Sequence, residues 1–512
     1  MQNTINTKLS DNNGKPRVWL EGRKLAVGFN AGDTYSIVYD KQTREVKLSL
    51  DPNGRYTVNK RTKVDRIEPL IELRDKELLD LYDFDTRLTI IVTKGQVTCR
   101  INAIDAKNQT TAEKFLAKIL NGEPLTKGTV FTGGGIIDRA VNEGLKHAGI
   151  DSKVALVVES EKMYLEAFMR NQGDSLADDA LIYNSKIEHI DLDEVQDLKL
   201  DLFLCTLPCT GASKAGRTKN KLAKAEDHDS AGACFFYALQ FIKKFSPASV
   251  LVENVKEFLN TASYSVFESV LLNWGFDISV KVLNGNEYGD LENRDRMVLV
   301  ANLKQLGQFD FEYVVPMKDK EKTLSECYED VPLDSELWND FSYLKAKQTR
   351  DKEAGKGFGV SLYSGLEASV ITIRRTYHKA GSCDPYAVHP ENPELWRKFT
   401  AVEHLRFKGI PLNLVDGCSE TIAHEIAGQS GCFHKFVSVG AGIGINFLLS
   451  TKRFASAIRL QNEMDLSVFD KFGAHARVVG RNGKGFVLLT EAALKCLAQN
   501  GIQFRSDMQL VA

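Results

Sequence analysis

A cysteine follows an apolar run that has the length and composition of a buried strand. The run is Leu202-Phe203-Leu204, and the segment after it, CTLPCTGAS, carries Pro208 and Cys209. Ligands of α/β proteins bind at the carboxyl ends of strands, where a cysteine thiolate is a nucleophile. A cysteine at the same place can also pack as a small apolar side chain. The segment alone leaves both interpretations open.

A glycine-rich turn followed by an acidic residue predicts a nucleoside-binding site. The segment FTGGGIIDRAVNEGLKHAG ends a strand at Phe131, passes through Gly133-Gly134-Gly135 and continues as an amphipathic helix. Glycines let backbone amides approach a ligand closely, and Glu159, at the end of the next strand, can accept hydrogen bonds from ribose hydroxyls. The dinucleotide fingerprint GxGxxG is absent, because Ile136 and Ile137 follow the third glycine. The turn therefore disfavours NAD and favours a nucleoside cofactor without pyrophosphate.

The elements that must position these residues alternate between strands and helices from about residue 126. The strand-like runs KVALVV, DLFLC and SVLV are separated by helical patterns such as ACFFYALQFIKKF. This order predicts an α/β fold with a doubly wound parallel sheet, in which the strand ends gather the ligand-binding residues. Residues 17–110 instead carry short alternating runs between turn residues, which predicts a β-rich amino-terminal domain.

The composition is that of an ordinary globular protein. Of the 512 residues, 43% are hydrophobic and 26% charged, and the formal net charge is −2. The amino terminus lacks the apolar core of a signal peptide, and no run approaches the roughly 18 apolar residues of a membrane span. The nine cysteines form no CxxC pair or regular framework, so we expect reduced thiols and no structural metal site. We therefore expect a cytoplasmic protein without a membrane partner.

Six segments in a fixed order give the chain a resemblance to the DNA cytosine-5 methyltransferases. They are the glycine turn, the strand leading to Pro208-Cys209, the strand leading to Glu253-Asn254-Val255, NEYGDLENRDRMVLV, RKFTAVEHLRFKGIP and GQSGCFHKFVSVGAGIG. The resemblance covers residues 128–305 and 370–447. It implies a Rossmann-like, S-adenosylmethionine-dependent methyltransferase fold and the transfer of a methyl group to C5 of cytosine.

The resemblance also implies a role for each candidate residue. Cys209 would add to C6 of a cytosine flipped out of duplex DNA, and Glu253 would hold a proton at N3. Arg296 would stabilise O2, and Arg294 would lie beside it as a catalytic or an ion-pairing residue. The donor would contact Phe131, Gly133, Gly135, Glu159, Ser185, Pro208 and Gly431. Glu403 and Arg406 are expected to hold the substrate domain in place, and Cys205 is expected to pack in the core.

Several positions depart from the family pattern. Glu292 replaces the first residue of the Gln-x-Arg-x-Arg segment, and we expect it to hold the second arginine by a salt bridge. Ile136 stands where a further glycine is common, and Cys432 where asparagine is usual, both at the expected donor pocket. Asn184 or Ser185 lies where an aspartate normally meets the adenine amino group. These departures leave an altered donor or a weaker activity open.

Basic residues cluster in three segments that could contact DNA phosphates. The loop after Cys209 carries Lys214, Arg217, Lys219, Lys221 and Lys224, the segment LKAKQTRDKEAGKGFG follows later, and the amino-terminal domain carries Arg55, Lys60, Arg61, Lys63 and Arg66. Solvated loops would have the same composition. The segment PRVWLEGRKLAVGFNAGDTYSIV of the amino-terminal domain resembles the SymE-like or AbrB-like modules, many of which bind nucleic acid.

Together these inferences divide the chain into five parts. They are a β-rich domain (1–120), a catalytic domain (126–305), a small target-recognition region (306–395), a return to the catalytic domain (396–450) and a C-terminal extension (451–512). Double-stranded DNA is the expected partner, with a cognate restriction endonuclease as a further candidate, and the nucleoid of a prokaryotic or phage-infected cell is the expected location. The alternative functions are an RNA cytosine-5 methyltransferase and a catalytically inert DNA-binding regulator of the same fold.

Overall fold

A computed structural model describes residues 1–63, 66–209, 211, 226, 232–355, 359–460, 466–481, 484–499 and 508–511 of the chain. The chain divides into two compact units, Met1–Thr110 and Thr111–Ala512. The basic residues predicted in the loop after Cys209, from Lys214 to Lys224, lie outside the described residues. Their predicted contact with DNA therefore stays a prediction.

The first unit is built from two antiparallel sheets. Its elements are β1 (Asn3–Lys8), β2 (Ser10–Asn12), β3 (Lys15–Glu21), β4 (Thr34–Asp40), β5 (Glu45–Leu50), β6 (Tyr56–Thr57), β7 (Asn59–Lys63), β8 (Arg66–Leu73), α1 (Glu77–Leu81), β9 (Arg87–Thr93) and β10 (Gln96–Ile101). The sheet orders are β1-β9-β10-β5-β4-β6 and β2-β3-β8-β7. Alternate residues of β9, including Leu88, Ile90 and Val92, are buried in one core. The alternating sequence pattern thus corresponds to sheets with one buried face.

Three of the five basic residues predicted as DNA contacts in this unit are ion-paired. The segment that carries them forms β6, β7 and β8 rather than a loop. Arg61 pairs with Glu21, while Lys63 and Arg66 lie 2.8 and 2.6 Å from the carboxylate oxygens of Glu68. Because these acids offset the charges of the basic residues, the cluster attracts phosphates less strongly than its sequence indicates.

The second unit contains a seven-stranded sheet with helices. The strands are β11 (Leu125–Val130), β12 (Ser152–Glu159), β13 (Leu176–Asn184), β14 (Leu202–Thr206), β15 (Ser249–Asn254), β16 (Phe276–Asn284) and β18 (Asp295–Leu303). The helices that precede or connect them are α2 (Ala103–Asn121), α3 (Ile136–His147), α4 (Lys162–Asn171), α5 (Cys234–Phe245) and α6 (Ala262–Asn273). The order is β13-β12-β11-β14-β15-β18-β16, and only β18 runs antiparallel to its neighbours within this sheet.

The strand order reverses between β11 and β14. From β11 the chain moves outwards through β12 and β13, and then returns to place β14 and β15 on the other side of β11. Ligands of doubly wound sheets bind beyond the carboxyl ends of the strands at such a reversal. The glycine turn, Glu159, Cys209 and Glu253 lie at the ends of β11, β12, β14 and β15. The predicted doubly wound α/β fold is confirmed, and it brings these residues to one edge of the sheet.

A smaller region with its own core is formed mostly by residues that follow β18, together with a short strand that precedes it. It contains β17 (Glu292–Asn293), α7 (Ser342–Glu353), β19 (Ser361–Tyr363), β20 (Val370–Ile371), β21 (Pro385–Val388) and β22 (Trp396–Arg397). These strands form a β17-β20 pair and a β19-β21-β22 sheet. The core of the region includes Leu324, Tyr363, Tyr377 and Phe399.

Glu403 and Arg406 bind this region, as the sequence predicts. They lie on α8 (Ala401–Phe407). The Arg397 guanidinium donates two hydrogen bonds of 2.7 Å to the Glu403 carboxylate, which is fully buried. Arg406 donates to the carbonyl oxygens of Cys327 and Tyr328. Both side chains therefore serve the packing of the smaller region.

Two helices complete the main unit, α9 (Glu420–Gln429) and α10 (Phe433–Ser450). By length and composition α10 could cross a membrane, but 83% of it is buried inside the structure, as in the core helix of a globular protein. It packs against α3 at a crossing so close that a Cβ on Gly144 would lie 2.1 Å from the carbonyl oxygen of Val437. Glycine is therefore required at that crossing.

The last residues of the chain pack on the same core. They form β23 (Ser456–Leu460), β24 (Ala476–Arg481), β25 (Lys484–Leu489), α11 (Glu491–Gln499) and β26 (Met508–Val511), with the sheet order β24-β25-β23-β26. Ala457, Val479, Phe486 and Leu488 belong to the hydrophobic cluster that also contains α3 and α10. Phe115 of α2 belongs to the same cluster.

Candidate active site

A cavity of about 640 Å³ opens at the carboxyl edge of the main sheet. It is lined by residues that follow β11, β12, β14 and β15, together with residues of the smaller region and the end of α9. Ligand-binding cavities of proteins usually have volumes of about 300–1,000 Å³. The cavity is therefore large enough for a nucleoside-sized ligand.

Cys209 lies in this cavity, whereas Cys205 does not. Cys205 is the fourth residue of β14 and is fully buried in the core, as predicted. Beyond the strand end, Leu207, Pro208 and Cys209 line the cavity, and Cys209 is half-buried. The neighbouring Thr206 hydroxyl donates a 2.6 Å hydrogen bond to the carbonyl oxygen of Phe131, which ties this strand end to the glycine turn.

Glu253 and Arg296 form an ion pair in the cavity. Glu253 lies opposite Val298 in the antiparallel pairing of β15 with β18, so Arg296, two residues before Val298, shares its face of the sheet. Glu253 Oε1 lies 3.0 Å from Arg296 Nε, and the two side chains are 9% and 12% exposed. The pair is thus nearly dry, and each charge depends on the other for compensation.

The salt bridge expected between Glu292 and Arg296 is absent, because the register of β18 gives Arg296 to Glu253. Glu292 instead lies 3.2 Å from Arg294 and 3.5 Å from Lys408. Burial acts to lower the pKa of Arg294, but the negative charges around it, Glu292 first among them, together outweigh burial, and the pKa is raised. Arg294 also lines the cavity and donates hydrogen bonds to the end of α9. Its contacts are those of a positioning residue.

The glycine turn wraps one side of the cavity. Phe131, Thr132, Gly133, Gly134 and Ile136 line it, and Gly133 has a positive φ of 56° that favours glycine. Its backbone amide donates a 2.7 Å hydrogen bond to Glu159, which also lines the cavity.

Two glycines predicted to touch the donor lie behind this lining. Gly135 is the N-cap residue of α3 and has a φ of 75°, and a Cβ there would lie 2.3 Å from Phe168. A Cβ on Gly431 would lie 2.3 Å from Phe436. Neither glycine is among the residues that line the cavity. Both are required for close packing instead.

Ser185, and not Asn184, is the residue that lines the cavity after β13. The Asn184 amide donates hydrogen bonds to the carbonyl oxygens of Glu159 and Ser160, so it holds two strand ends together. Of the two residues left open by the sequence, Ser185 is therefore the one placed to meet a ligand.

Cys432 lies outside the cavity lining, in contrast to the expectation from sequence. It is fully buried, and its sulfur lies against Gly285 and 3.9 Å from the carbonyl oxygen of Glu292. Burial raises the pKa of its thiol to about 12. Its neighbours Gln429 and Ser430 do line the cavity.

Several lining residues were missed by the sequence interpretation. They are Tyr164, Lys186, Cys234, Thr372, Arg374 and Arg375. Arg374 lies 2.7 Å from Asp384, whereas the Arg375 guanidinium lies 5.3 Å from the ring centre of Tyr164 and has no acidic partner among the described residues. The sequence could have indicated Arg374 and Arg375, because both follow VITI inside segment 370–447, which resembles the methyltransferases. No cluster of three or more metal-ligating side chains occurs within the described part of the chain.

Residues 131–430 match the protein family described as C-5 cytosine-specific DNA methylase. The Type II methyltransferase M1.ScrFI of Lactococcus lactis subsp. cremoris is 27% identical over 289 residues, which cover 54% of this chain and 69% of that protein. The Type II methyltransferase M.NlaX of Neisseria lactamica is 26% identical over 295 residues, which cover 56% of this chain and 88% of that protein. The matched range 131–430 contains every residue that lines the cavity.

Proposed function

Since this chain belongs to the C-5 cytosine-specific DNA methylase family, and is a DNA cytosine-5-methyltransferase, we propose that it methylates a cytosine flipped out of duplex DNA. The methyl donor is S-adenosylmethionine, and the reaction passes through a covalent bond between Cys209 and C6 of the base. The observation that carries this proposal is that Cys209 lines the same cavity as the Glu253–Arg296 ion pair.

Cys209 supplies the nucleophile. C5 of cytosine gains nucleophilic character once a thiolate adds to C6, because the electron pair of the C5–C6 double bond then becomes available at C5. The thiolate is the reactive form, and positive neighbours favour it. Arg294 and Arg296 lie close enough to Cys209 for its negative charge to act on the pKa of both, against the lowering effect of burial.

Glu253 and Arg296 act on the opposite edge of the ring. As the thiolate adds at C6, charge develops at N3 and O2. The Glu253 carboxyl group, when protonated, donates to N3, and the Arg296 guanidinium stabilises O2. After methyl transfer, a base removes the proton from C5, the double bond forms again and Cys209 leaves as the thiolate. We assign the base to a water molecule.

The lining residues fit S-adenosylmethionine, which supplies an electrophilic methyl group when it is bound. Glu159 Oε1 accepts hydrogen bonds from the Glu161 backbone amide and the Ser160 hydroxyl, whereas Oε2 accepts only the Gly133 amide among the described residues and keeps a lone pair for a ribose hydroxyl. We assign Ser185, which lines the cavity, to the contact with the adenine. Arg375, which has no acidic partner among the described residues, is our candidate for the carboxylate of the donor.

The substrate base must leave the helix stack, since C5 and C6 of a stacked cytosine cannot reach a thiol inside a cavity. Duplex DNA is therefore the proposed partner. A cognate restriction endonuclease in the same cell is proposed because the relatives are named Type II methyltransferases. Bisulfite sequencing of host DNA, with and without the gene, would report the target site and the modified base together.

The test of the mechanism is covalent trapping on a duplex that carries 5-fluorocytosine. Fluorine at C5 cannot be removed as a proton is, so the wild-type protein should form a denaturation-resistant adduct, and Cys209→Ser should form none while still binding DNA. Cys234→Ala is the matched control, because Cys234 lines the same cavity but burial raises its pKa to about 12. If Cys209→Ser still forms the adduct and Cys234→Ala does not, Cys234 is the nucleophile and the proposed role of Cys209 is wrong.

A labelling experiment, read together with the trapping, separates the remaining alternatives. Tritiated donor offered with duplex DNA or with RNA should label the DNA only. Label in RNA alone would show an RNA methyltransferase. No label and no adduct in either would show an inert DNA-binding protein of this fold.

A further inference from the structure

The end of α9 is buried, and its carbonyl groups are bound by two cations. The last four carbonyl groups of a helix have no partner within the helix and need capping groups, water or other side chains. Here Lys408 Nζ donates to the carbonyl oxygens of Ala427 and Ser430, at 2.5 and 2.7 Å. Arg294 Nη2 donates to those of Gly428 and Gln429, at 3.0 and 3.4 Å.

Glu292 lies between these two cations. One of its carboxylate oxygens is 3.2 Å from Arg294 Nη1, and the other is 3.5 Å from Lys408 Nζ. The side chains of Glu292 and Lys408 are fully buried, and that of Arg294 is 4% exposed. Burial, and then the charge of Arg294, lowers the pKa of Lys408 to about 8. Two buried cations side by side are costly, so the carboxylate between them is needed.

The carbonyl groups that are held in this way belong to the wall of the cavity. Gly428, Gln429 and Ser430 line it, and their carbonyl groups accept the hydrogen bonds from Arg294 and Lys408. Glu292 also accepts a 3.1 Å hydrogen bond from the backbone amide of Ile373, next to the lining residues Thr372 and Arg374.

We propose that Arg294, Glu292 and Lys408 form a charge-balanced clamp that positions the Gly428–Ser430 wall for the methyl donor, with Glu292 and Lys408 as mutually dependent positioning residues. The proposal rests on the proposed function, since it assigns the wall to the donor. It also explains why a carboxylate occupies position 292, where the resembling sequences carry glutamine. A neutral amide would leave Lys408 as a buried cation without its counter-charge.

The test is a cycle of four full-length proteins, namely wild type, Glu292→Gln, Lys408→Gln and the double variant. The dissociation constant of S-adenosylmethionine is measured by calorimetry, and kcat is measured at saturating donor. Each single variant should weaken donor binding about tenfold, which is the value of one charged hydrogen bond, while kcat changes less than about threefold. The double variant should lose less donor affinity than the product of the two single losses, because both charges are then removed together.

Glu403→Gln is the matched control. It removes a fully buried, ion-paired carboxylate from the smaller region. Glu403→Gln should lower the midpoint of thermal unfolding without changing donor affinity. If the clamp had only a structural role, Glu292→Gln and Lys408→Gln would likewise lower the midpoint and leave donor affinity unchanged. Lys408→Arg, which keeps the charge, should retain donor affinity within about threefold. If Lys408→Gln does not fold, Glu292→Gln is compared with Glu403→Gln instead, because it removes no hydrogen bond to the carbonyl groups of α9.

Two results are distinguishable failures. Wild-type protein that binds no S-adenosylmethionine would refute the proposed function and the clamp with it. The clamp alone would be refuted if the wild-type protein binds the donor and the single variants bind it equally well. It would also be refuted if the losses of affinity in the two single variants simply multiply in the double variant.

Discussion

Replacing Glu253 by Gln should separate its chemical role from its structural one. The amide keeps the shape of the side chain but cannot deliver a proton to N3 in the way a carboxylic acid does. Proton transfer by a positioned side chain contributes about 10²–10⁴ to the rate of an enzymatic reaction. We therefore expect kcat to fall about a thousandfold, which corresponds to about 4 kcal/mol in the activation free energy.

The same substitution has a cost in stability. Glu253 and Arg296 are 3.0 Å apart and nearly buried, so the loss of the carboxylate leaves a cation without its partner. Breaking such a pair costs about 3–5 kcal/mol when one partner is removed outright. Gln can still accept a hydrogen bond, and Arg296 keeps its bond to the carbonyl oxygen of Asp295, so we expect about 2 kcal/mol.

Single-turnover methyl transfer from tritiated donor to a duplex with one target site measures the chemical step. Glu257→Gln is the matched control, because it makes the same change four residues away at a side chain that does not line the cavity. The control should react at the wild-type rate. A Glu253→Gln protein that reacts within threefold of wild type, while folded, would refute the assignment of Glu253 as the acid at N3.

Three further predictions concern the donor, acid stability and DNA recognition. Glu159→Ala should weaken S-adenosylmethionine binding about tenfold in calorimetry, because it removes an acceptor for ribose hydroxyls, and unchanged affinity would contradict the donor site proposed here. Burial lowers the pKa of His424 to about 4, so between about pH 6.5 and 4 this residue binds more protons in the unfolded chain than in the folded one. Its contribution to stability is therefore complete above this pH range and is lost as the pH falls through it. His424→Gln should therefore flatten the fall of the thermal midpoint between pH 7 and 4.5, and a slope equal to that of wild type would exclude His424 as a contributor. Deleting residues 1–102, which leaves α2 intact, should change DNA affinity or site preference in a gel-shift competition more than it changes donor affinity. A truncated protein with unaltered affinity and unaltered site preference would show that the first unit does not contribute to DNA recognition.

The sequence predicted those parts of the site that depend on local pattern. Cys209, Glu253 and Glu159 each follow an apolar run, and parallel strands carry such positions to one edge of the sheet without any knowledge of partners. The partner of Arg296 was not predictable in this way. It depends on which residue of β15 lies opposite Val298, and that register is set by pairing across a long connection.

Contacts between distant segments account for the other differences. Glu292 lies close in sequence to both arginines of its segment, so an ion pair with either was possible. The choice is decided by Lys408 and by the carbonyl groups of α9, which only the folded chain brings near. In the same way Gly135 and Gly431 carry the glycine pattern of a ligand site, yet their missing Cβ atoms make room for Phe168 and Phe436.

The environments of the cysteines in and near the site distinguish the proposed nucleophile from the other thiols. Cys205 is fully buried at the end of β14, and burial raises its pKa well above the usual value. Burial also raises the pKa of Cys234 and Cys432 to about 12, so these thiols stay protonated and inert at neutral pH. Cys209, only half-buried, lies within the electrostatic reach of Arg294 and Arg296. Under the proposed function, exposure and two fixed positive charges distinguish Cys209 from the other thiols, and we expect any substitution that buries Cys209 more deeply or moves these charges to reduce methyl transfer even though the thiol itself remains.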